Sequence, residues 1–525
     1  MSNDDLIDIS NIEIIDFKNK PARAAKEIAA PPKKPPPPPD GGEPSGDGHD
    51  DDGLDGIIKS LNEQFALILM GSHAVIMRFA RDAPIEDRVR IISVEAFKVY
   101  HLNRGSVVSK RRRLEDGSWS TQKVYLQWAP LWLANKNRRS YDGVEFYPDP
   151  ANIQGTPRYF NTWRGLSCIP STLPAIDRKL KYKTFYDHLL TNMCSGNEEL
   201  FNWVFAWFAH MLQRPRERVG TAIVLRGKMG SGKTKIGEVI GSLFPSHYFL
   251  VDDPRYLTGN FNAHMASCLL LQVDEGFWAG DKAAEGRLKG LITAPFQMIE
   301  AKGIDPIRLK NYVRLLFSSN EDWVIPAGKD ERRFCVIDIA DQCVQNFEYF
   351  SEIDHEIDNG GREALLADLL AYELDAPGAP NLRVIPKTEA LREQKIRSLG
   401  PIESWWLERL HDGTTTRRGA AWQKSITANT LFDDYVHMAE KIGIRRKSDK
   451  ISFIIKLRSL IPLTRKQKTL PVDLLDGTTI MQRQWCYNLP DLSECRIQFE
   501  KLMRQKIEWD EPNDDDSPTG EEYEF

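Results

Sequence analysis

What the sequence lacks narrows the field first. Its seven cysteines stand singly among 525 residues, with no Cys-x-x-Cys pair. That argues against a disulfide framework and a cysteine-rich zinc site. The ten histidines form no ligand-spaced cluster. The longest apolar stretch with a helical pattern, "FNWVFAWFAHML", falls short of the roughly 20 residues needed to cross a bilayer. The opening "MSNDDLIDIS" is acidic and has no basic-then-apolar secretion signal. These absences predict a cytoplasmic protein with reduced thiols and no membrane partner. No internal repeat is present.

Net charge is also scarce, at −5, but it is unevenly spread. Residues 1–55 carry 13 acidic and 6 basic side chains, and residues 510–525 carry 8 acidic and none basic. Setting those two ends aside leaves +10 on residues 56–509. A basic body between acidic ends suits a protein that binds a polyanion.

Composition and periodicity divide the chain. Residues 1–55, with "PPKKPPPPPDGGEPSGDGHDDDG", predict a disordered Pro/Asp-rich arm. Residues 56–180 read as an α+β lead-in. There "FALILMG" and "AVIMRFA" are paired strands around a Gly-Ser-His turn, and "KVYLQWAPLWLANKNRRSYDGVEFYPDP" is a helix followed by a basic, aromatic loop. Residues 181–214 predict a helical collar, with Leu200, Val204, Trp207, Phe208 and Met211 at helical spacing, Asn197 as its cap and Pro215 as its stop. Residues 215–345 alternate strands and helices, an α/β core with a three-layer, mostly parallel sheet. Residues 346–415 are helical, 416–507 form a basic winged-helix-like domain, and 508–525 an acidic disordered tail.

The chemistry is concentrated in the α/β core. The buried strand pattern "TAIVLRG" runs into Gly227, Lys228, Met229, Gly230, Ser231, Gly232, Lys233 and Thr234, then into the helical pattern "TKIGEVIGSLF". Strand, glycine loop and helix in this order form a phosphate-binding loop. Its glycines turn backbone N–H groups toward phosphates. Lys233 reaches the β- and γ-phosphates, and the Thr234 hydroxyl sits on Mg²⁺. About forty residues on, "CLLLQVDEGFWAG" ends a strand in Asp274, for the Mg²⁺ shell, and Glu275, to polarise an attacking water. A third strand, "YVRLLFSSNEDW", ends in Asn320, which orients the water or touches the γ-phosphate. Arg332 and Arg333 follow in "GKDERRFCVIDI". One of them is a candidate arginine finger, supplied by a neighbouring molecule, and the other a surface ion pair. Between the second and third strands, "FQMIEAKGIDPIRLKN" reads as a hairpin with Lys302 at its tip and Lys310 on its return strand.

These motifs in this order resemble the superfamily 3 helicases of the AAA+ group, and more narrowly the helicase part of phage and prophage primase–helicases related to poxvirus and plasmid replication helicases. The similarity rests on "GKMGSGKT", "LLLQVDEG", "RLKGLIT" with Lys289, "IEAKGIDPIRLKN", "LLFSSNEDW" and "DERRF". It spans roughly residues 130–410. The resemblance implies an ATP- and Mg²⁺-dependent DNA helicase acting in phage, prophage or plasmid replication in a bacterial cytoplasm. It also implies a homo-oligomeric ring, usually hexameric, with ATP between subunits, single-stranded DNA gripped by the hairpin lysine, and 3′→5′ translocation. One departure is clear: no acidic triad for nucleotidyl transfer precedes the core, so priming falls to a separate primase. A polymerase and a single-strand-binding protein are further candidate partners, with the acidic tail as their docking peptide.

Residues 441–468 hold ten basic residues and one acid. "KISFIIKLRSL" is an amphipathic helix carrying Lys456, and "TIMQRQWCYNL" a wing strand. Arg445, Arg446, Lys447 and Lys456 are the candidate contacts to duplex DNA phosphates. Two other readings stay open: a phosphate-loop kinase of a small molecule, and an ATP-switched DNA-binding initiation or assembly factor without turnover.

Overall fold

A computed structural model describes residues 7–13, 53–80, 89–113, 117–152, 155–259, 262–275, 282–301, 304–444, 447–473 and 479–509. Lys302, Arg445, Arg446, the tail from residue 510 and most of the arm lie outside them. The described residues fall into two compact units. One is drawn from the stretches 1–165, 261–267 and 296–310, the other from 166–260, 268–295 and 311–525.

The first unit is built on the predicted hairpin. Phe65–Met70 and His73–Phe79 pair antiparallel, from Phe65 opposite Arg78 to Met70 opposite His73. Both faces are covered. Phe65 and Ile76 pack with Phe97 and Trp132 on one face, and Ala66, Ile68, Val75 and Met77 with Phe160 on the other. Two readings are corrected here. The segment "KVYLQ" belongs to the strand Trp119–Gln127, and the helix begins only at Trp128. Val124, Tyr125 and Leu126 are strand formers, and they pair with Gly105–Arg113. Within the supposed arm, Ile7–Glu13 is a strand that adds to the same sheet, and a helix starts at Gly53. The apolar alternation of "IDISNIE" is strong enough to recruit a sheet edge despite its acidic surroundings.

The hairpin Phe296–Ala301 and Ile304–Lys310 forms as predicted. It belongs to the first unit, where Ile307 packs against the cluster around Ala66, Ile68 and Phe160.

The second unit holds a five-stranded parallel sheet. Its strands are β1 (Ala222–Arg226), β2 (Tyr248–Val251), β3 (Leu270–Asp274), β4 (Arg314–Ser319) and β5 (Phe334–Asp338). Their order across the sheet is β2-β3-β4-β1-β5, and every pairing is parallel. β1 and β4 are buried throughout, as expected of central parallel strands. Helix α1 (Lys233–Gly241) follows β1 and packs on β3 and β4. Gly237 lets it approach: a Cβ there would lie 1.7 Å from the Gln272 side-chain oxygen.

Ahead of the sheet, helix Glu198–Gln213 is capped by the Asn197 side chain, which accepts from Leu200 N at 3.0 Å. Its aromatic residues are core, with Trp203, Trp207 and Phe208 buried. After the sheet, Pro401–Asp412, Ser425–Thr427, Ala428–Lys441 and Lys450–Leu460 lead into an antiparallel ribbon, Thr464–Asp473 with Thr479–Asn488. This helix–strand–helix–helix–ribbon run shares one hydrophobic core. It packs on Trp405, Trp406, Tyr435, Phe453 and Leu457.

Candidate nucleotide site

The parallel register brings the motif residues to one end of the sheet. The loop leaves the carboxyl end of β1, Asp274 ends β3 with Glu275 just after it, and Asn320 follows β4. Crevices beyond the carboxyl ends of parallel strands are where such sheets bind ligands. Gly227 N donates to the Ser319 carbonyl at 3.2 Å, tying the start of the loop to the end of β4. Gly230 and Gly232 have φ of +78° and +88°, a left-handed backbone that glycine adopts freely. At Gly232 the space is also closed: a Cβ would lie 2.6 Å from the His188 ring and 2.7 Å from Phe350.

Lys233 opens α1 and is buried. Its ammonium donates to the carbonyls of Gly227 at 2.8 Å and Lys228 at 2.7 Å, and to Asn320 Oδ1 at 2.7 Å. Burial pushes it below the usual lysine range, against the opposing pull of Asp274 and Glu275. Asn320 Nδ2 in turn donates to the Glu275 carboxylate. One continuous chain thus links the buried loop cation, the strand-end amide and the candidate base. Glu275 has φ of +52°, a left-handed conformation that non-glycine residues adopt infrequently. Beside it, Thr234 Oγ1 donates to Asp274 Oδ2 at 2.8 Å. Hydroxyl and carboxylate therefore share one spot, an all-oxygen pair suited to a hard cation such as Mg²⁺. The loop presents an N-terminal helix end and a buried ammonium, which suit an anion. The donor set fits a nucleoside triphosphate with Mg²⁺.

Two supports were not foreseen. Gln272, buried inside β3, donates to Ser318 Oγ at 3.0 Å and to the Thr234 carbonyl at 3.3 Å, and accepts from Tyr248 OH at 2.6 Å. It fastens β3, β4 and α1 behind the site, and a glutamine within an otherwise apolar strand was the available signal. His188 lies on a π-helical turn, His188–Met193, against Gly232 of the glycine loop. Asn192 Nδ2 and Tyr349 OH approach its Nδ1 at 3.2 and 3.3 Å. Burial pushes this imidazole down to about 4, so it is neutral. Nothing in its sequence surroundings marks it.

Other predicted residues fall elsewhere. Lys228 is exposed and pairs with Asp341 at 2.6 Å, and Met229 projects into solvent. Arg332 and Arg333 precede β5, whose first residue Phe334 lies beside Ala222 and whose last lies beside Arg226. They stand at the opposite end of the sheet from the glycine loop, about 16 Å along the strand at ~3.3 Å per residue. They line a cavity of about 520 Å³ with Lys289, Lys329 and Arg504. Arg333 leans on Glu331 at 3.6 Å, whereas the exposed Arg332 side chain makes no ion pair among the described residues. Lys310 is exposed on the hairpin. Among the C-terminal residues, Lys447 pairs with Glu440 at 2.5 Å and Lys456 with Glu403 at 2.9 Å. No helix among the described residues is long and apolar enough to cross a membrane.

Comparison with known proteins bears on the relatives and the fold. A family described as of unknown function (DUF5906) matches residues 225–333, from the end of β1 to the start of β5. The DNA primase-polymerase of Nitratiruptor phage NrS-1 is 21% identical over 296 residues, 53% of this chain. The match covers 40% of that relative, so the chain spans less than half its length. Two apo structures of the NrS-1 C-terminal region superpose with TM-scores of 0.53 and 0.54, at 17% and 15% identity. They cover 82% and 83% of this chain and 98% and 99% of theirs. The chain is similar in sequence to a phage replication protein and has the mixed α/β fold, with a parallel sheet, of that protein's C-terminal region.

Proposed function

We propose that this chain is an ATP-dependent DNA helicase of the superfamily 3 type, with an AAA+ phosphate-loop core, working in phage DNA replication. The observation that carries the reading is the chain Lys233–Asn320–Glu275 beside the Thr234–Asp274 pair, all at one end of the parallel sheet. Similarity to a primase-polymerase supports a role in replication.

Lys233 would turn from the loop carbonyls to the β- and γ-phosphates, and loop N–H groups would hold their oxygens. Thr234 and Asp274 would hold Mg²⁺, which supplies positive charge against the phosphates. When Lys233 moves onto phosphate, Asn320 loses its 2.7 Å partner and is free to orient a water, while Glu275 accepts that water's proton. The site would then be poised for hydrolysis only once nucleotide is seated. Arg332 is the better finger, acting on a neighbouring subunit's nucleotide, because it is exposed and its own loop is at the far end of β5. This implies a ring of identical chains. The hairpin with Lys302 and Lys310 is assigned to single-stranded DNA, and its packing through Ile307 ties it to the first unit's sheet.

The test is ATP turnover with and without DNA. Single-stranded DNA should stimulate hydrolysis severalfold. ATP binding without turnover would favour the assembly-factor reading, and turnover that depends on a small-molecule acceptor would favour a kinase.

A further inference from the structure

The predicted duplex-binding surface was the helix Lys450–Leu460 with the basic run before it. Arg445 and Arg446 of that run lie outside the described residues, and the cations of the helix itself have partners within the protein. Lys450 bonds Asn429, Lys456 pairs with Glu403 at 2.9 Å, and the Arg458 guanidinium lies 5.6 Å from the Tyr487 ring centroid. The positions it turns to solvent include Ile451 at 73% and Ile455 at 64% exposure. A helix offering isoleucines while its lysines face its own domain is a poor partner for phosphates.

The ribbon that follows has the opposite character. Ten residues of Thr464–Asp473 pair in unbroken register with Thr479–Asn488. Side chains alternate between its faces. One face carries Arg465, Trp485, Arg483 and Met481, in the pairs Arg465 with Tyr487, Gln467 with Trp485, Thr469 with Arg483 and Pro471 with Met481. The other carries Lys466 and Lys468. Trp485 is 44% exposed and Met481 67%. The Arg465 guanidinium lies 3.7 Å from the Trp485 ring centroid. Lys466, Lys468 and Arg483 are exposed and make no ion pair among the described residues. Four cations, one of them stacked on an indole, line the paired part of a projecting two-stranded ribbon.

We infer that this ribbon, rather than the preceding helix, is the duplex-DNA-binding element of the C-terminal domain. The inference rests on the DNA reading above. The major groove of B-form DNA admits a two-stranded ribbon, and ribbons are an established alternative to helices in that role. Ten residues at ~3.4 Å reach about 34 Å, enough to enter a groove and contact phosphates on both sides. Arg465 already covers the ring of Trp485, which favours a stiff, cationic strut over an open platform for stacking single-stranded bases. Lys466, Lys468 and Arg483 supply the phosphate contacts, and the exposed Met481 contacts groove walls.

The test uses the full chain, a fluorescent 30-base-pair duplex and the matching single strand, titrated by anisotropy over a range of salt. The triple variant Lys466→Gln/Lys468→Gln/Arg483→Gln should lose at least tenfold in duplex affinity near 0.1 M salt. Its log K against log[salt] slope should shrink by about 2 to 3, near 0.9 per lost phosphate contact. Trp485→Ala should lose duplex affinity with little change in slope. Lys456→Gln should leave duplex binding unchanged. ATPase without DNA and the melting temperature report that the variants are folded. Should the triple variant fold poorly, Lys466→Gln/Lys468→Gln alone should still shrink the slope by about 2. An unchanged slope in a folded variant, a loss confined to the single strand, or a larger effect from Lys456→Gln would overturn the ribbon. A wild-type chain that binds no duplex at all would overturn the DNA reading as well.

Discussion

Gly232→Ala probes the phosphate loop where its geometry is tightest. Two costs follow from the structure. Alanine at φ of +88° enters a left-handed conformation at roughly 1–2 kcal/mol. Its Cβ would also stand 2.6 Å from the His188 ring and 2.7 Å from Phe350, an overpacking cost of about 1–3 kcal/mol. The sum, about 2–5 kcal/mol, falls on the loop conformation that holds phosphate. ATP affinity should therefore drop between about thirtyfold and a few thousandfold, at tenfold per ~1.4 kcal/mol. Part of the steric cost is recoverable. In the Gly232→Ala/His188→Ala double variant the alanine meets no imidazole, so the two substitutions should be non-additive by roughly 1 kcal/mol or more in the favourable direction. The assay is titration with a fluorescent ATP analogue on all four members of the cycle, with circular dichroism to confirm folding. Wild-type affinity in Gly232→Ala, or strict additivity within about 0.5 kcal/mol, would refute the packing of His188 against the loop.

Three further outcomes follow from the same site. Glu275→Gln should bind ATP near normally yet hydrolyse it at least a hundredfold more slowly, as single-turnover measurements would show; near-normal hydrolysis would remove Glu275 as the base. Lys233→Ala and Arg332→Ala/Arg333→Ala proteins, each inactive alone, should regain part of the ATPase when mixed, because one supplies the finger and the other the loop; a mixture that stays dead while native mass spectrometry shows mixed oligomers would place the arginines in a structural role. Burial holds the His188 imidazole at about 4, below its ordinary value, so its contribution to stability is full above about pH 6.5 and is lost as pH falls toward 4, by up to about 3 kcal/mol. Denaturation at pH 7 and pH 4.5 should show His188→Leu losing less stability on acidification than wild type, and equal losses would contradict this.

The candidate nucleotide site was legible where its signals are local. Strand, loop and helix are contiguous from Thr221 to Gly241, and Asp274–Glu275 and Asn320 each end an apolar run, so their types and positions identify them. What joins them was not legible. Nothing in one sequence says that β4 lies between β1 and β3, and that order alone lets Asn320 touch both Lys233 and Glu275. Gln272 and His188 act through partners far along the chain. The basic run before Leu460 is a different case. Its charge density is plain in the sequence, but the ion pairs of Lys447 with Glu440 and of Lys456 with Glu403 are not. The strand Ile7–Glu13 was masked by the composition around it, and the strand Trp119–Gln127 by the helix that follows directly.

The central claim is that hydrolysis at the Lys233–Asn320–Glu275 site drives separation of DNA strands. Strand displacement on a forked DNA substrate tests it most directly, with wild-type and Lys233→Ala protein, with and without ATP and Mg²⁺. The account predicts displacement by the wild type only when both ATP and Mg²⁺ are present, and none by Lys233→Ala. Displacement without ATP, or robust DNA-stimulated hydrolysis with no displacement of either fork arm, would contradict it.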